Sequence, residues 1–292
     1  MPDGGAIHVG VQALPAAKCD VLYVHGATFP SDLSVFYRLD ERSWADALNE
    51  AGYSASGLDF VGYGRSSRHT NVGTEPLGRS DQALPQLRAV IQYLRAHNGG
   101  RRVALIAHSW GTIVAARAAI AFPDAVAALV MFGPILCGRP VEVREVLPAR
   151  RPITVWEQYR AFIAEVPDGH PPVMSDRHFD GWSRAYLASD PQSGTRQPAA
   201  VLTPTGPQAD IMDIRHGKGF FDPARIERPT LVVRGEWDSL CTDDDVTRFL
   251  SAVPSRIKDD VKIARGTHRM HLEERRDDLY RAVNEFLHRA LA

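Results

Sequence analysis

Short apolar runs alternate with helix-type patterns along most of the chain, and this alternation restricts the fold more than any other feature. The runs DVLYVHG, RRVALIAHS and VAALVMFGP are each typical of a strand, and helical patterns follow the first two. Strands that are apolar throughout are typical of a parallel sheet buried on both faces. The alternation therefore predicts βαβ units and an α/β fold with a mostly parallel, doubly wound sheet.

One long segment interrupts this pattern. Residues 135–222 are rich in proline, charge and aromatics, with helical patterns at Thr154–Glu165 and Asp180–Ala188 and no convincing buried strand. The strand–helix alternation resumes afterwards and continues to a last amphipathic helix. We predict that residues 135–222, called the insertion below, form a mainly helical cap over an α/β core of residues 1–134 and 223–292.

Composition and charge narrow the range of partners. The chain has 292 residues, a 44% hydrophobic content and a formal net charge of −1. No basic block indicates nucleic acid, and no apolar run is long enough to span a bilayer. The N-terminus has no signal-peptide pattern, so we expect a cytoplasmic protein with a small-molecule substrate and no nucleic-acid or membrane partner. The sequence leaves open whether the chain forms a homo-oligomer.

The three cysteines, Cys19, Cys137 and Cys241, are widely spaced and form no CxxC pair. We therefore expect buried free thiols rather than disulfides or a zinc site.

The segment AHSWG, Ala107–Gly111, lies between a predicted strand and a predicted helix. A catalytic serine needs a hydroxyl exposed on a sharp turn, and small residues two positions before and after it allow the turn to pack tightly. The usual pattern is G-x-S-x-G, and Ala107 replaces the first glycine. Ser109 is therefore a candidate nucleophile, which also requires a histidine base and a carboxylate to orient that base.

Candidates for these partners follow two later strands. Glu236 and Asp238 follow the strand TLVVRG, whereas His268 and His271 follow the last predicted strand. The carboxyl ends of parallel strands meet at one edge of a sheet, so these side chains can approach Ser109. The chain order Ser, Asp, His is one of the orders known for catalytic triads.

Two further segments complete a family pattern. They are His25–Gly26, after an early strand, and Asp59–Ser67, which reads DFVGYGRSS. With the segments above, the chain resembles the α/β-hydrolase fold superfamily over nearly its whole length. The resemblance implies a nucleophile at Ser109, an acid at Asp238 and a base at His268, and it implies no cofactor.

The resemblance also implies an oxyanion hole and a substrate pocket. The backbone amides of Trp110 and Ala27 are the expected oxyanion donors, with Thr28 as the alternative to Ala27. Since a cap covers the nucleophile, some of its aromatic residues should face substrate together with the loop after Gly26. The predicted substrate-binding residues are Thr28, Phe29, Trp156, Tyr159 and Trp182.

Several other polar residues are given structural roles. We expect His25 to brace its loop, His108 to point away from the nucleophile, and Asp59 to be structural. The His-rich stretch at residues 168–180 lacks regular ligand spacing, so no metal site is predicted. The G-x-G of residues 62–64 is not followed by a phosphate-binding helix, so no nucleotide site is predicted either.

These features predict a serine hydrolase that cleaves a small or medium, hydrophobic carboxylic ester, lactone or thioester through an acyl-enzyme. Two alternatives within the fold are an aminopeptidase or amidase and a carbon–carbon bond hydrolase. A third, of a different class, is a catalytically silent member that binds a ligand.

Overall fold

The structure, a computed structural model, describes residues 5–70, 73–136 and 146–292. The strands are β1 His8–Gln12, β2 Asp20–Val24, β3 Ser54–Asp59, β4 Val103–His108, β5 Val126–Phe132, β6 Arg150–Thr154, β7 Ala200–Pro204, β8 Thr230–Gly235 and β9 Lys258–Ile263. The helices are α1 Trp44–Glu50, α2 Ser80–His97, α3 Gly111–Ala121, α4 Val155–Ile163, α5 Asp176–Ala188, α6 Gly206–Arg215, α7 Asp243–Ala252 and α8 Arg276–Ala290.

Seven strands form one sheet in the order β1-β3-β2-β4-β5-β8-β9. The edge strand β1 runs antiparallel to β3, and the other neighbours pair in parallel. This confirms the predicted fold class. Strand β1 itself was not predicted, because the five residues HVGVQ are short and contain a glycine.

Alternate residues of the strands face two hydrophobic layers. On β2, Leu22 and Val24 pack with α2, α3 and α7, whereas Val21 and Tyr23 pack with α1 and α8. All four of these side chains are buried, which explains why the strand is apolar throughout. Helices therefore cover both faces of the sheet, and the carboxyl ends of the strands stay available for a site.

The insertion contributes no strand to this sheet, as far as its residues are described. It contains α4, α5 and α6, and β6 pairs with β7 in a separate antiparallel sheet. The expectation that it holds no strand was therefore wrong. Each of these strands has five residues and a proline, Pro152 and Pro204, which two-stranded sheets tolerate at their edges.

Two helices of the insertion also differ from prediction. Helix α5 begins at Asp176, where Ser175 caps it, four residues before the predicted start. Helix α6 was missed because its sequence, GPQADIMDIR, begins with Gly-Pro and buries Asp210 and Asp213. An apolar stripe is the usual sign of a packed helix, and buried aspartates hide it.

An aromatic cluster joins the insertion to the core. Trp182 is fully buried, stacks on Tyr186 and packs against Phe29 of the core. Cys19 and Cys241 are buried free thiols as expected, while Cys137 lies outside the described residues. In the described part of the chain, no helix is both long and apolar enough to cross a membrane.

Candidate active site

Ser109 lies on a sharp turn between β4 and α3. Its φ of +55° falls in the left-handed region, which costs a non-glycine residue about 1–2 kcal/mol. The turn is held by bonds from the Ser109 amide to the Phe132 carbonyl, 2.9 Å, and from the Thr112 amide to the Ser109 carbonyl, 3.0 Å. The strained serine therefore occurs where the sequence predicts a nucleophile.

Two glycines make room for this arrangement. A Cβ on Gly111 would lie 2.5 Å from the His25 carbonyl oxygen, so the start of α3 can approach β2 only with glycine. Gly133 has a φ of +52°, and a Cβ there would lie 3.0 Å from both Asp238 Oδ2 and His268 Nδ1. Any larger residue at 133 would press on the contact between these two side chains.

Ser109, His268 and Asp238 form a continuous hydrogen-bonded chain. Ser109 Oγ lies 2.8 Å from His268 Nε2, and His268 Nδ1 lies 3.0 Å from Asp238 Oδ2. The second oxygen, Asp238 Oδ1, accepts the Leu240 amide at 3.0 Å, which fixes the carboxylate. With a proton on Nδ1, Nε2 is free to accept the serine proton.

The rival residues lie elsewhere. Glu236 is exposed and accepts the Arg265 amide at 2.9 Å, so it closes a surface turn. His271 is buried, and neither of its ring nitrogens has a partner among the described residues. Burial lowers the pKa of His271 to about 3, so its ring is neutral.

The charge state of His268 follows from its surroundings. Burial alone lowers the pKa of His268, but the charge and hydrogen bond of Asp238 outweigh it, with a further contribution from Glu165. The net effect raises the pKa above its ordinary value. A base with a raised pKa binds the serine proton more readily than an unassisted imidazole.

His108 differs from the expectation. Its side chain does not point away, since it lines the same cavity as Ser109 and donates from Nε2 to the His268 carbonyl at 2.9 Å. Burial holds its pKa well below the ordinary value, so it acts as a neutral donor that supports the His268 loop. His25 braces its loop, donating to the Gly26 carbonyl at 2.7 Å and accepting the Phe60 amide at 3.0 Å.

The predicted oxyanion donors have free amides. Neither the Ala27 nor the Trp110 amide donates a hydrogen bond within the described chain. Ala27 is held through its carbonyl, which accepts from Tyr63 Oη at 2.8 Å, and Trp110 through its indole, which donates to Asp210 Oδ2 at 2.9 Å. Ala27 lines the cavity beside Ser109, and Trp110 directly follows Ser109 in the chain, so both amides remain available to a ligand.

A cavity of about 180 Å³ adjoins Ser109. Its walls are mainly apolar. Thr28 and Phe29, which were predicted to bind substrate, form part of them. The full lining is Gly26, Ala27, Thr28, Phe29, His108, Ser109, Gln208, Ile211, Leu240, His268 and Arg269. The three predicted cap aromatics are not in this lining.

Those three aromatics occupy other places in the insertion. Trp156 is 63% exposed and stacks on the half-buried Tyr159 at 5.7 Å between ring centroids. Trp182 is enclosed in the aromatic cluster and donates its indole N–H to the Leu33 carbonyl at 3.1 Å. None of the three faces the cavity, and α6 supplies that wall instead, through Gln208 and Ile211.

Comparisons with known proteins identify the family of the fold. The sequence model of the family described as alpha/beta hydrolase fold matches residues 21–275. The chain belongs to this family. No curated protein matches the sequence.

Solved structures show the same fold at low identity. The monoacylglycerol lipase of Paleococcus ferrophilus is 19% identical, with a TM-score of 0.63 over 98% of this chain and 99% of that one. A soluble variant of monoglyceride lipase from Saccharomyces cerevisiae is 15% identical, with a TM-score of 0.66 over 99% and 93%. Est1E from Butyrivibrio proteoclasticus, bound to ferulic acid, is 16% identical, with a TM-score of 0.62 over 99% and 97%.

In this α/β-hydrolase, the insertion contacts the loops that carry Asp238 and His268. Glu165, just after α4, accepts the Ser239 amide at 3.0 Å and the Ser239 hydroxyl at 2.8 Å on Oε1. Its other oxygen accepts the His268 amide at 2.7 Å. One carboxylate thus joins the acid loop to the base loop.

Sequence reasoning missed both Glu165 and Asp210. Glu165 stands at the end of a predicted helix, where a charged residue ordinarily faces solvent, and Asp210 lies in a helix that was not predicted. Neither belongs to a local motif, because their partners are 74 to 131 residues away in the chain. In the described ranges, no cluster of three or more His, Cys, Asp or Glu side chains could hold a metal ion.

Proposed function

We propose that this α/β-hydrolase is a serine hydrolase that cleaves carboxylic esters with a short acyl group, using Ser109, His268 and Asp238. One observation carries the proposal. A strained serine makes a 2.8 Å hydrogen bond to a buried histidine, which is held in turn by a buried carboxylate. A protein that only binds ligands has no need for that alignment.

The reaction proceeds in two steps on these residues. His268 Nε2 removes the proton from Ser109 Oγ as the oxygen attacks the ester carbonyl, and the amides of Ala27 and Trp110 stabilise the oxyanion. The tetrahedral intermediate collapses to a Ser109 acyl ester, while His268 returns its proton to the departing alcohol. Water, deprotonated by His268, then releases the carboxylic acid.

The cavity limits the acyl group. At about 30 Å³ per water molecule, 180 Å³ holds about six non-hydrogen atoms. The walls formed by Phe29, Ile211 and Leu240 favour an apolar group, whereas the Gln208 side chain offers a polar contact. We infer a preference for acyl chains of about four to six carbons.

Esters are the favoured class within the fold. Two of the similar structures are named as lipases, a class of ester hydrolases, which supports this reading. Amides and carbon–carbon bonds use the same triad, so the leaving group must be tested directly.

The test combines labelling with substrate profiling. A fluorophosphonate probe should add once to the protein, as seen by intact mass, and the adduct should disappear in Ser109→Ala and His268→Ala. Ser251→Ala, which removes an exposed hydroxyl on α7, is the matched control and should label normally. Hydrolysis of p-nitrophenyl esters should peak near butyrate to hexanoate, and Ser109→Ala should reduce kcat by about 10⁴-fold or more.

Two results would change the proposal. Absence of any adduct on folded protein, with small as well as large probes, would support the silent ligand-binding alternative. Labelling together with faster cleavage of an anilide or of a vinylogous diketone than of its matched ester would instead support an amidase or a carbon–carbon bond hydrolase.

A further inference from the structure

A second cleft lies between the core and the insertion, apart from Ser109. Its volume is about 840 Å³, within the range of small-molecule sites. The core contributes residues 30–37 and 62–69 to its walls, and the insertion contributes Arg150 and residues 185–202. It shares no lining residue with the catalytic cavity. We call it the arginine cleft, after Arg65, Arg68, Arg150 and Arg196.

Two of its four arginines are neutralised within the cleft. Arg65 pairs with Asp32 at 2.7 Å, and Arg196 pairs with Asp190 at 2.8 Å. Both carboxylates line the same cleft. These pairs account for all the acidic side chains in the lining, so neither Arg68 nor Arg150 forms an ion pair with a lining carboxylate.

The other two arginines have no carboxylate partner among the described residues. Arg68 donates to two carbonyls, that of Ser66 at 3.4 Å and that of Ser189 at 3.0 Å. Arg150 makes neither an ion pair nor a side-chain hydrogen bond in the described parts of the chain. Since a guanidinium carries five donors, both have donors left for a ligand.

Burial makes the positive charge of Arg68 less favourable. It lowers the pKa of Arg68, although Asp190 and Asp59 act in the opposite direction. A guanidinium that has lost part of its hydration gains more from an incoming anion than one in bulk water. The cleft is therefore suited to a negatively charged group beside Arg68 and Arg150.

The rest of the lining is mainly apolar, with Ser66, His69, Ser189 and Gln192 as its polar residues. It includes Pro30, Leu33, Tyr37, Ala185, Ala188 and Leu202. A small inorganic anion would leave these walls uncovered, whereas an organic body would bury them. The end of α5 lies here too, and the carboxylates of Asp32 and Asp190 are close, so one negative charge is more favourable than two.

We propose that the arginine cleft binds an organic monocarboxylate with an apolar body, such as an aromatic acid, through Arg68 and Arg150. The ligand would contact the core and the insertion at once. This binding does not depend on the reaction proposed at Ser109 and can be measured in a variant that lacks the nucleophile.

The experiment is a calorimetric titration of the Ser109→Ala protein with 2-naphthoate. The acid, with thirteen non-hydrogen atoms, is too large for a 180 Å³ cavity that holds about six. Arg150→Gln and Arg68→Gln should each weaken binding about tenfold or more, the effect of losing a hydrogen bond to a charged partner. Arg289→Gln, which removes a surface guanidinium on α8 paired with Asp259, should leave binding unchanged.

Two comparison ligands test the role of the negative charge and the need for an organic body. The neutral 2-naphthalenemethanol should bind at least about tenfold more weakly, and inorganic phosphate should not displace naphthoate at equal concentration. Equal binding of the alcohol would overturn the role of charge, and displacement by phosphate would overturn the organic class. Undetectable binding, or binding unaffected by Arg150→Gln, would overturn the site itself. If Arg68→Gln does not fold, Arg150→Gln decides alone.

Discussion

Two carboxylates of the insertion contact residues of the candidate site, and they do so in different ways. Asp210 is fully buried and accepts from the Trp110 indole, from the Ser80 amide at 2.7 Å and from Arg79 Nε at 2.8 Å. Glu165 is half-buried and accepts from two backbone amides and one hydroxyl. One carboxylate is ion-paired, and the other is not.

Because of this difference, we expect the loss of each carboxylate to affect a different property of the protein. The charge of Asp210 is balanced by Arg79, so its loss should act mostly on stability and on the position of Trp110. Glu165 has no cationic partner within 4 Å in the described residues, so its charge acts on His268. Asp210 therefore contributes mainly to packing on one side of the candidate site, and Glu165 contributes to the electrostatics of His268.

The largest effect is expected from Asp210→Asn. The new amide group would face N–H donors from Arg79, Ser80 or Trp110, while Arg79 would keep its pair with Asp213. Breaking a buried pair on one side costs about 3–5 kcal/mol, and the remaining Asp213 pair and the 31% exposure of the Arg79 side chain favour the lower end. Urea unfolding should therefore show a loss of about 3 kcal/mol.

Asp81→Asn is the matched control for that measurement. Asp81 pairs with Arg117 on the neighbouring surface, and its side chain is 77% exposed. Exposed pairs contribute about 0–1 kcal/mol. If Asp81→Asn destabilised the protein as much as Asp210→Asn, the buried pair would have no special role.

Trp110→Phe tests the hydrogen bond from the indole to Asp210 independently of the Asp210–Arg79 ion pair. It removes the donor to Asp210 Oδ2 but leaves Arg79 and Ser80 in place. We expect a loss of about 2 kcal/mol in unfolding free energy, smaller than for Asp210→Asn, because one bond to a charged group is lost. If Trp110→Phe destabilised the protein as much as Asp210→Asn, the indole contact alone would account for the whole effect of Asp210.

The two carboxylates also mark where sequence reasoning ends. The sheet core was predictable because its strands are apolar throughout, and Ser109, Asp238 and His268 follow strands whose ends must converge. Those three side chains lie in hydrogen-bonded contact, as the chain order suggested. Their catalytic roles remain proposals.

The insertion was less predictable because its contacts with the core join residues that are distant along the chain. Its aromatics at helical spacing, Trp156, Tyr159 and Trp182, suggested a pocket wall, yet that spacing describes only which side of each helix is apolar. Whether that side packs internally or faces substrate depends on how α4, α5 and α6 meet the core. No local pattern carries that information.

Glu165→Gln should change the pH dependence more than the stability. Catalysis needs neutral His268, so kcat/KM is lost as pH falls through the raised pKa of this group. Removing the nearby negative charge lowers that pKa, and the acidic limb of the profile should move to lower pH. The plateau should fall by about fivefold, since Gln keeps one acceptor oxygen and can no longer accept from both the Ser239 and the His268 amides.

Glu236→Gln is the control for charge. Glu236 precedes the acid by two residues, but it is exposed and bonds to the Arg265 amide. Its profile should coincide with that of the unmodified protein. An equal displacement in both variants would show that any nearby acidic residue, rather than Glu165 in its bridging position, sets the acidic limb.

The smallest effect is expected from Ser239→Ala, and it distinguishes charge from hydrogen bonding. The substitution removes the 2.8 Å hydroxyl bond to Glu165 Oε1, but the Ser239 amide and the carboxylate charge remain. The rate should change by less than about twofold, and the acidic limb should not move. A displacement as large as that of Glu165→Gln would mean that loop geometry, and not the charge of Glu165, controls the pKa of His268.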